Sequence, residues 1–197
     1  MSNKEILSRV KLPMKYDKPV IIDNYFPDWL VKDVSHELQG FPVTLTNSPT
    51  AVFENARFFG NMLITDDQWM VPTPPYWFID YFNKCIYNDI CKDDNITHCH
   101  RILLNGQVKG QNSQNHCDSD YDCYLSVIYH ASGTSGSTWF VNAADEDVQE
   151  VEFKEGRLIL FNSTLWHRGD PPSDNSYRIS LGCVYPMVPI AKLPHPH

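Results

Sequence analysis

Two residues of metal-binding type, His116 and Asp118, are separated by one residue in a segment compatible with a β-strand. Side chains at positions i and i+2 of a strand point to the same face, so both could bind one metal ion. A third ligand is available in His167, which follows an apolar run at 157–162. Two histidines and one carboxylate on one side of a transition metal leave three adjacent coordination positions open. The three residues therefore predict a metal centre that accepts further ligands.

The His-x-Asp spacing carries little information alone, because chance gives roughly 0.7 such pairs in a chain of this composition. Its significance comes from Arg178, eleven residues after His167, at the start of a predicted final strand. A guanidinium binds a carboxylate through two parallel hydrogen bonds, and inside an apolar barrel it needs such an anion. We therefore expect a dicarboxylic ligand between the metal and Arg178. The alternative is an arginine on an exposed edge strand.

Two helices and a series of short strands must position these residues. Apolar residues at helical spacing predict a first helix from Pro27 to Gly40, and a second helix beginning near Pro74 and Pro75. Strands are predicted at 19–23, 97–105, 114–118, 123–131, 137–142, 148–153, 157–162 and 177–185. Residues 44–74 show no clear periodicity, and their aromatic residues suit either a core or a lid. The pattern favours an antiparallel sandwich or barrel with helices on one side.

With three further motifs, these residues resemble the 2-oxoglutarate- and Fe(II)-dependent dioxygenases, most of all the compact prolyl-4-hydroxylase-like branch of microbes and their viruses. The motifs are SGSTWF at 135–140, GRLILF at 156–161 and Arg178-x-Ser180. The resemblance covers residues 97–185, together with the strand and helix at 19–40. It implies an α+β, mainly β fold, a double-stranded β-helix or jelly roll with N-terminal helices packed on the larger sheet. A single domain over 1–197 would comprise the support at 1–96, the core at 97–185 and a tail at 186–197.

The resemblance also implies roles for individual residues. Fe(II) would be bound by the histidine–aspartate–histidine set His116, Asp118 and His167. Arg178 would bind the distal carboxylate of 2-oxoglutarate, with support from Ser180 and Tyr129, and Asn105 would lie near the metal-bound end of the cosubstrate. The implied reaction consumes dioxygen, converts 2-oxoglutarate to succinate and CO2, and hydroxylates a peptide side chain or a small metabolite. Many prolyl hydroxylases have lysine at the position of Arg178, so prolyl specificity does not follow.

Composition excludes several other classes of protein. The net charge is −8, and residues 112–155, with nine acidic and one basic residue, carry the whole imbalance. An acidic surface repels phosphate backbones, which argues against a nucleic-acid substrate. No apolar run is long enough to span a membrane, and the six cysteines include no Cys-x-x-Cys pair. With no apolar signal segment at the N-terminus, we expect a cytoplasmic location.

Two other functions fit the same fold. A jelly-roll binding module would keep the architecture without redox chemistry. A cupin-like isomerase or hydrolase would use the three ligands with another metal and need no dioxygen, but it would leave Arg178 unexplained.

Overall fold

The computed structural model describes residues 16–47, 57–71, 76–92, 96, 98–111 and 113–187. Within these residues the chain forms two α-helices and eleven β-strands. They are β1 (Val20–Ile22), α1 (Asp28–Gln39), β2 (Thr44–Asn47), β3 (Arg57–Thr65), β4 (Gln68–Trp69), α2 (Tyr76–Cys85), β5 (Arg101–Val108), β6 (Tyr124–Ser132), β7 (Thr138–Val141), β8 (Asp147–Val151), β9 (Leu158–Asn162), β10 (His167–Gly169) and β11 (Tyr177–Pro186). No helix in these ranges is long and apolar enough to cross a membrane.

The two predicted helices are confirmed. Helix α1 follows Pro27 and ends at Gly40, and it buries Leu30, Val34 and Leu38, which recur every four residues along one face. Helix α2 continues into a π-helical turn at Ile86–Ile90 and buries Phe78 and Phe82. Both helices use these apolar faces to pack against the larger sheet.

The strands form two antiparallel sheets. The larger one has the order β1-β9-β6-β11-β5-β3-β2, with β4 paired to β3, and the smaller one has the order β10-β7-β8. A second, smaller core lies between the sheets, where Phe140 and Val151 meet Ile159 and Phe161. Two facing antiparallel sheets with helices on the outer side of the larger one confirm the predicted jelly roll.

Alternate residues of the larger sheet face opposite layers. On β6, Leu125, Val127 and Tyr129 belong to the core shared with the helices. Since side chains alternate along a strand, Ser126 and His130 face the smaller sheet. The space between the sheets therefore receives the polar side chains of β5, β6 and β11, and it contains the candidate site.

The sequence-based assignment differs from the structure in two places. Residues 44–47 and 57–69 form β2, β3 and β4, which extend the larger sheet, while residues 48–56 lie outside the described part. The predicted strand at 114–118 is reduced to a single bridge at His116, which pairs with the unpredicted short strand β10. Both differences have the same reason. These segments become strands by pairing with strands that are distant in the sequence, and local periodicity does not show which strands pair.

Replacing Phe82 with alanine is expected to lower the free energy of unfolding by about 3–5 kcal/mol. Phe82 is fully buried and its ring centroid lies 6.1 Å from Phe26, 5.7 Å from Phe78 and 5.7 Å from Tyr129. The matched control is Trp29→Ala, since Trp29 is 63% exposed and its loss should change stability by about 0.5 kcal/mol at most. Chemical denaturation of both variants measures the difference, and equal losses would contradict this assignment of the core.

Candidate metal centre

The backbone places the three predicted metal ligands together. His116 and His167 face each other across a bridge in which each backbone N–H donates to the other's carbonyl, at 2.9 and 2.8 Å. The N–H of Asp118 donates to the Ser163 carbonyl at 2.9 Å, which fixes the chain two residues further on. The ligand atoms of all three residues lie within 4.8 Å of one another. Among the described residues this is the one such group of histidine, cysteine or acidic side chains.

Hydrogen bonds fix which nitrogen of each imidazole faces the others. Nδ1 of His116 lies 3.0 Å from the Gln114 carbonyl, and Nδ1 of His167 lies 3.0 Å from the Leu165 carbonyl. A carbonyl oxygen only accepts, so each Nδ1 must carry the proton and donate it. Nε2 of both rings then presents a lone pair, which is the form that binds a metal.

The Asp118 carboxylate is held from two sides. Arg101 Nη2 donates to Oδ1 at 2.9 Å, and the Ser126 hydroxyl donates to Oδ2 at 2.6 Å. The Ser126 oxygen in turn lies 2.8 Å from the Ser163 hydroxyl. Oδ2 is the oxygen that faces His167, 3.8 Å from its Nε2.

The protonation states at neutral pH suit a metal. Burial opposes the charge on Asp118, but neighbouring His167, Arg101 and His116 more than offset this and hold its pKa below the ordinary value. Burial, helped by His116 and opposed by Asp118, lowers the pKa of His167 to about 4. An ionised carboxylate and a neutral imidazole are therefore available without first losing a proton.

Arg178 is a buried cation. The residue is 3% exposed, and its guanidinium donates to the Gln107 side-chain oxygen at 2.6 Å and to the Thr138 hydroxyl at 3.3 Å. Its Nε is buried without a partner, and no acidic side chain in the described ranges forms an ion pair with it. Burial lowers the pKa of Arg178 to about 10, opposed by Asp170, so the side chain is charged at neutral pH.

The guanidinium lies in the same space as the three ligands. A Cβ added at Gly169 would come within 2.7 Å of Arg178 Nη1, so the glycine leaves room for the guanidinium. Gly169 is two residues after His167 on β10, a rise of about 7 Å along a strand. The predicted positions Ser180 and Asn105 are paired across β11 and β5, on the same face as Arg178 and Gln107. These four residues share the inward side of the larger sheet.

Tyr129 is a correction to the sequence analysis. Its ring lies in the helix-facing core, with centroids 5.8 Å from Phe26 and 5.6 Å from Phe78. It points away from Arg178, which is on the opposite face of the sheet. Burial does not distinguish the two faces of β6, because both are buried, but the polar residues Ser126 and His130 mark the face that points into the site.

The inward position belongs to the next residue, His130, which the sequence analysis missed. Its Nε2 lies 3.4 Å from the Thr138 hydroxyl, and its ring stacks on Phe153 with a centroid distance of 4.6 Å. Nδ1 accepts a hydrogen bond from the Lys154 backbone N–H, so Nε2 carries the proton. Burial and the nearby Arg178 lower the pKa of His130 well below its ordinary value, and the ring is neutral.

Replacing Tyr129 with phenylalanine should leave 2-oxoglutarate affinity unchanged and stability unchanged or slightly higher. The Tyr129 hydroxyl is buried without a hydrogen-bond partner, and its removal relieves an unpaired polar group. Calorimetric titration with 2-oxoglutarate and a thermal melt of the same sample measure both quantities. A marked loss of affinity would restore the original assignment of Tyr129.

No protein-family model and no curated protein matches this sequence. Solved structures do resemble it. A 2OG-Fe(II) oxygenase family oxidoreductase from Burkholderia pseudomallei superposes with a TM-score of 0.71 at 13% identity, covering 95% of this chain and 92% of that one. A Trichoplax adhaerens prolyl hydroxylase, solved with a hypoxia inducible factor peptide fragment, gives 0.64 at 16% identity over 92% and 88% of the two chains. A prolyl-4-hydroxylase from Pseudomonas putida gives 0.61 at 13% identity over 93% and 98%. The chain therefore has the jelly-roll fold of the 2-oxoglutarate- and Fe(II)-dependent oxygenases.

Proposed function

We propose that this chain is a 2-oxoglutarate- and Fe(II)-dependent oxygenase that hydroxylates a peptide side chain or a small metabolite. One observation carries the proposal: a buried, charged arginine without an acidic partner in the described residues lies against Gly169, two residues along β10 from His167, which is grouped with His116 and Asp118. A cation in such a place is costly unless an anion joins it. A dicarboxylate that binds a metal at one end and Arg178 at the other meets both requirements.

The residues of the site form two groups, one for each end of this ligand. His116 and His167 would hold Fe(II) through Nε2, and Asp118 would hold it through a carboxylate oxygen. Arg178 would bind the distal carboxylate of 2-oxoglutarate. Bound together, the iron and 2-oxoglutarate would supply the oxidation by dioxygen that yields succinate, CO2 and a hydroxylated substrate.

A second donor for the distal carboxylate comes from Thr138. Its oxygen accepts from Arg178 Nη2 and from the protonated Nε2 of His130. With both bonds directed at the oxygen, the hydroxyl proton is free to point at an anion beside Arg178. We assign Thr138 to direct binding of the cosubstrate and His130 to holding that hydroxyl in place.

Asn105 and Ser180 lie on the wall between the two ends. They are paired across neighbouring strands on the inward face, and Asn105 Nδ2 would be 3.4 Å from a Cβ added at Gly182. A short polar side chain from each strand can accept or donate a hydrogen bond along a bound dicarboxylate. We keep both residues as supporting contacts of 2-oxoglutarate.

The surroundings narrow the class of substrate. The acidic surface of 112–155 repels polyanions, which disfavours a nucleic acid and leaves small molecules and peptides. The hypoxia inducible factor peptide is a ligand of the Trichoplax enzyme and does not identify the substrate here. The cysteines of the described residues form no disulfide bond, which supports a reducing compartment such as the cytoplasm.

Succinate formation without added substrate tests the proposal. The purified chain is incubated with Fe(II), 2-oxoglutarate and dioxygen, with each component omitted in turn, and succinate is quantified. We expect slow formation that needs all three, and faster formation when a peptide or metabolite library contains the substrate. A binding module would form no succinate under any condition, and a cupin-like metalloenzyme would turn over its substrate without dioxygen. Either result would reject the oxygenase.

A further inference from the structure

We infer that Arg101 is a positioning residue that keeps Asp118 a one-oxygen ligand and so preserves the third open position at the metal. The inference rests on the proposed function in taking His116, Asp118 and His167 as metal ligands. It assigns a role to a residue that neither the sequence motifs nor the contacts of Arg178 involve.

The two oxygens of Asp118 have different neighbours. Oδ1 accepts from Arg101 Nη2 at 2.9 Å, whereas Oδ2 lies 3.8 Å from Nε2 of His167. The Ser126 hydroxyl bonds Oδ2 at 2.6 Å but occupies one of its two lone pairs. Oδ2 therefore retains a lone pair on the imidazole side, and Oδ1 is directed to the guanidinium.

The strand framework fixes Arg101 in this position. It opens β5 and is paired with Val184 on β11 and Thr65 on β3, so its backbone is held from both sides. It lies on the same inward face as Asn105 and Gln107, at the opposite end of the strand from the Arg178 contact.

The ion pair between Arg101 and Asp118 is not explained by a large contribution to folding stability. The Nε of Arg101 is buried without a partner, and its side chain is 31% exposed. A partly exposed ion pair of this kind adds little to folding, and apolar residues that replace both of its partners together are often tolerated without loss. Arg101 instead bonds Oδ1, whereas Oδ2 faces His167, and this division points to control of the carboxylate's orientation.

The number of coordination positions shows why this control matters. An octahedral metal with two imidazoles and a one-oxygen carboxylate keeps three positions free. 2-Oxoglutarate, binding through its keto and carboxylate oxygens, takes two and leaves one. If Asp118 turned to bind through both oxygens, the cosubstrate would fill the sphere and no position would remain for dioxygen.

Counting metal-bound water tests the inference without turnover. Mn(II) is used as the probe, and the water on it is counted by proton relaxation and by 17O-water line broadening in electron paramagnetic resonance. Mn(II) in the wild-type protein should carry three water molecules, and in Arg101→Met it should carry two. The relaxivity of the variant should therefore be lower by roughly a third. Arg101→Ala serves as a second removal variant, should the methionine variant fold poorly. Arg101→Lys should return towards three waters, since an ammonium can still donate to Oδ1.

The control is Arg157→Met. Arg157 pairs with Asp23 through two hydrogen bonds and has no described hydrogen bond to His116, Asp118 or His167, so its loss removes an ion pair without a direct contact to the ligands. It should keep three waters.

Two results would overturn the role of Arg101. One is an equal water count in wild type, Arg101→Met and Arg101→Ala. The other is loss of Mn(II) binding by more than about 100-fold in both variants, which would mean that Arg101 is needed for the site to form at all. Adding 2-oxoglutarate to the same samples distinguishes a failure of the role of Arg101 from a failure of the proposed function. If it displaces no water from the wild type, the oxygenase proposal fails while the water counts still judge Arg101.

Discussion

Replacing Arg178 with methionine is expected to weaken 2-oxoglutarate binding strongly while leaving the ligand-free protein at least as stable as the wild type. Truncating one partner of a buried charge pair costs about 2–5 kcal/mol, so the dissociation constant should rise by roughly 30-fold or more. Without ligand, the variant should be slightly more stable than the wild type. Burial lowers the pKa of Arg178 to about 10, which means that folding the wild type at neutral pH takes a charged group out of water at a cost in free energy. Methionine occupies similar volume without this cost.

Thermal melts with and without 2-oxoglutarate measure both effects of this substitution. A ligand at 100 times its dissociation constant stabilises the folded state by about 2.7 kcal/mol, so the wild type should melt higher with 2-oxoglutarate and Mn(II), and Arg178→Met should not. The matched control is Arg168→Met. This variant removes an arginine of β10 that is paired with Asp147 and Asp170. It should retain the ligand-induced shift. An equal shift in Arg178→Met would show that the distal carboxylate binds elsewhere.

Replacing Asp118 with alanine should remove metal binding and with it all succinate formation. The substitution deletes the sole anionic ligand of the proposed set and leaves Arg101 facing two imidazoles without the carboxylate it bonds. Loss of residues that merely orient a metal ligand costs 10–100-fold in affinity, so loss of this ligand should exceed about 100-fold. Titration with Mn(II), followed by electron paramagnetic resonance of the free ion, gives the affinity directly.

Asp120→Ala is the control for local charge. Asp120 is two residues further along and exposed, and it belongs to the same acidic stretch without joining the ligand group. If the stretch attracted cations only through its charge, both substitutions would weaken Mn(II) binding alike. Selective loss in Asp118→Ala is the outcome that the geometry predicts.

Much of the site was predictable because its residues lie at fixed short spacings or follow strong strand signals. His116 and Asp118 share a face of one segment, and Arg178 begins an apolar strand that the alternation identifies. His167 was assigned without its strand, because β10 has only three residues and gains its structure by pairing with β7. The fold class followed from helices preceding many short strands, which local patterns show well.

The errors at the site have two physical causes. Alternation says which residues share a face, but it does not say which face points inward when both are buried. On β6 this led to Tyr129 in place of its neighbour His130. Arg101 was overlooked because its meaning depends on Asp118, a residue 17 positions away that approaches it only in the folded chain.

An anaerobic titration of the Fe(II)-loaded protein with 2-oxoglutarate tests the central claim most directly. If the iron and Arg178 hold opposite ends of the same molecule, a visible charge-transfer absorption should develop and saturate with 2-oxoglutarate. It should be absent in Asp118→Ala, and Arg178→Met should need far higher 2-oxoglutarate concentrations. A wild-type protein that binds Fe(II) but develops no such absorption, or an Arg178→Met variant that saturates like the wild type, would contradict the account.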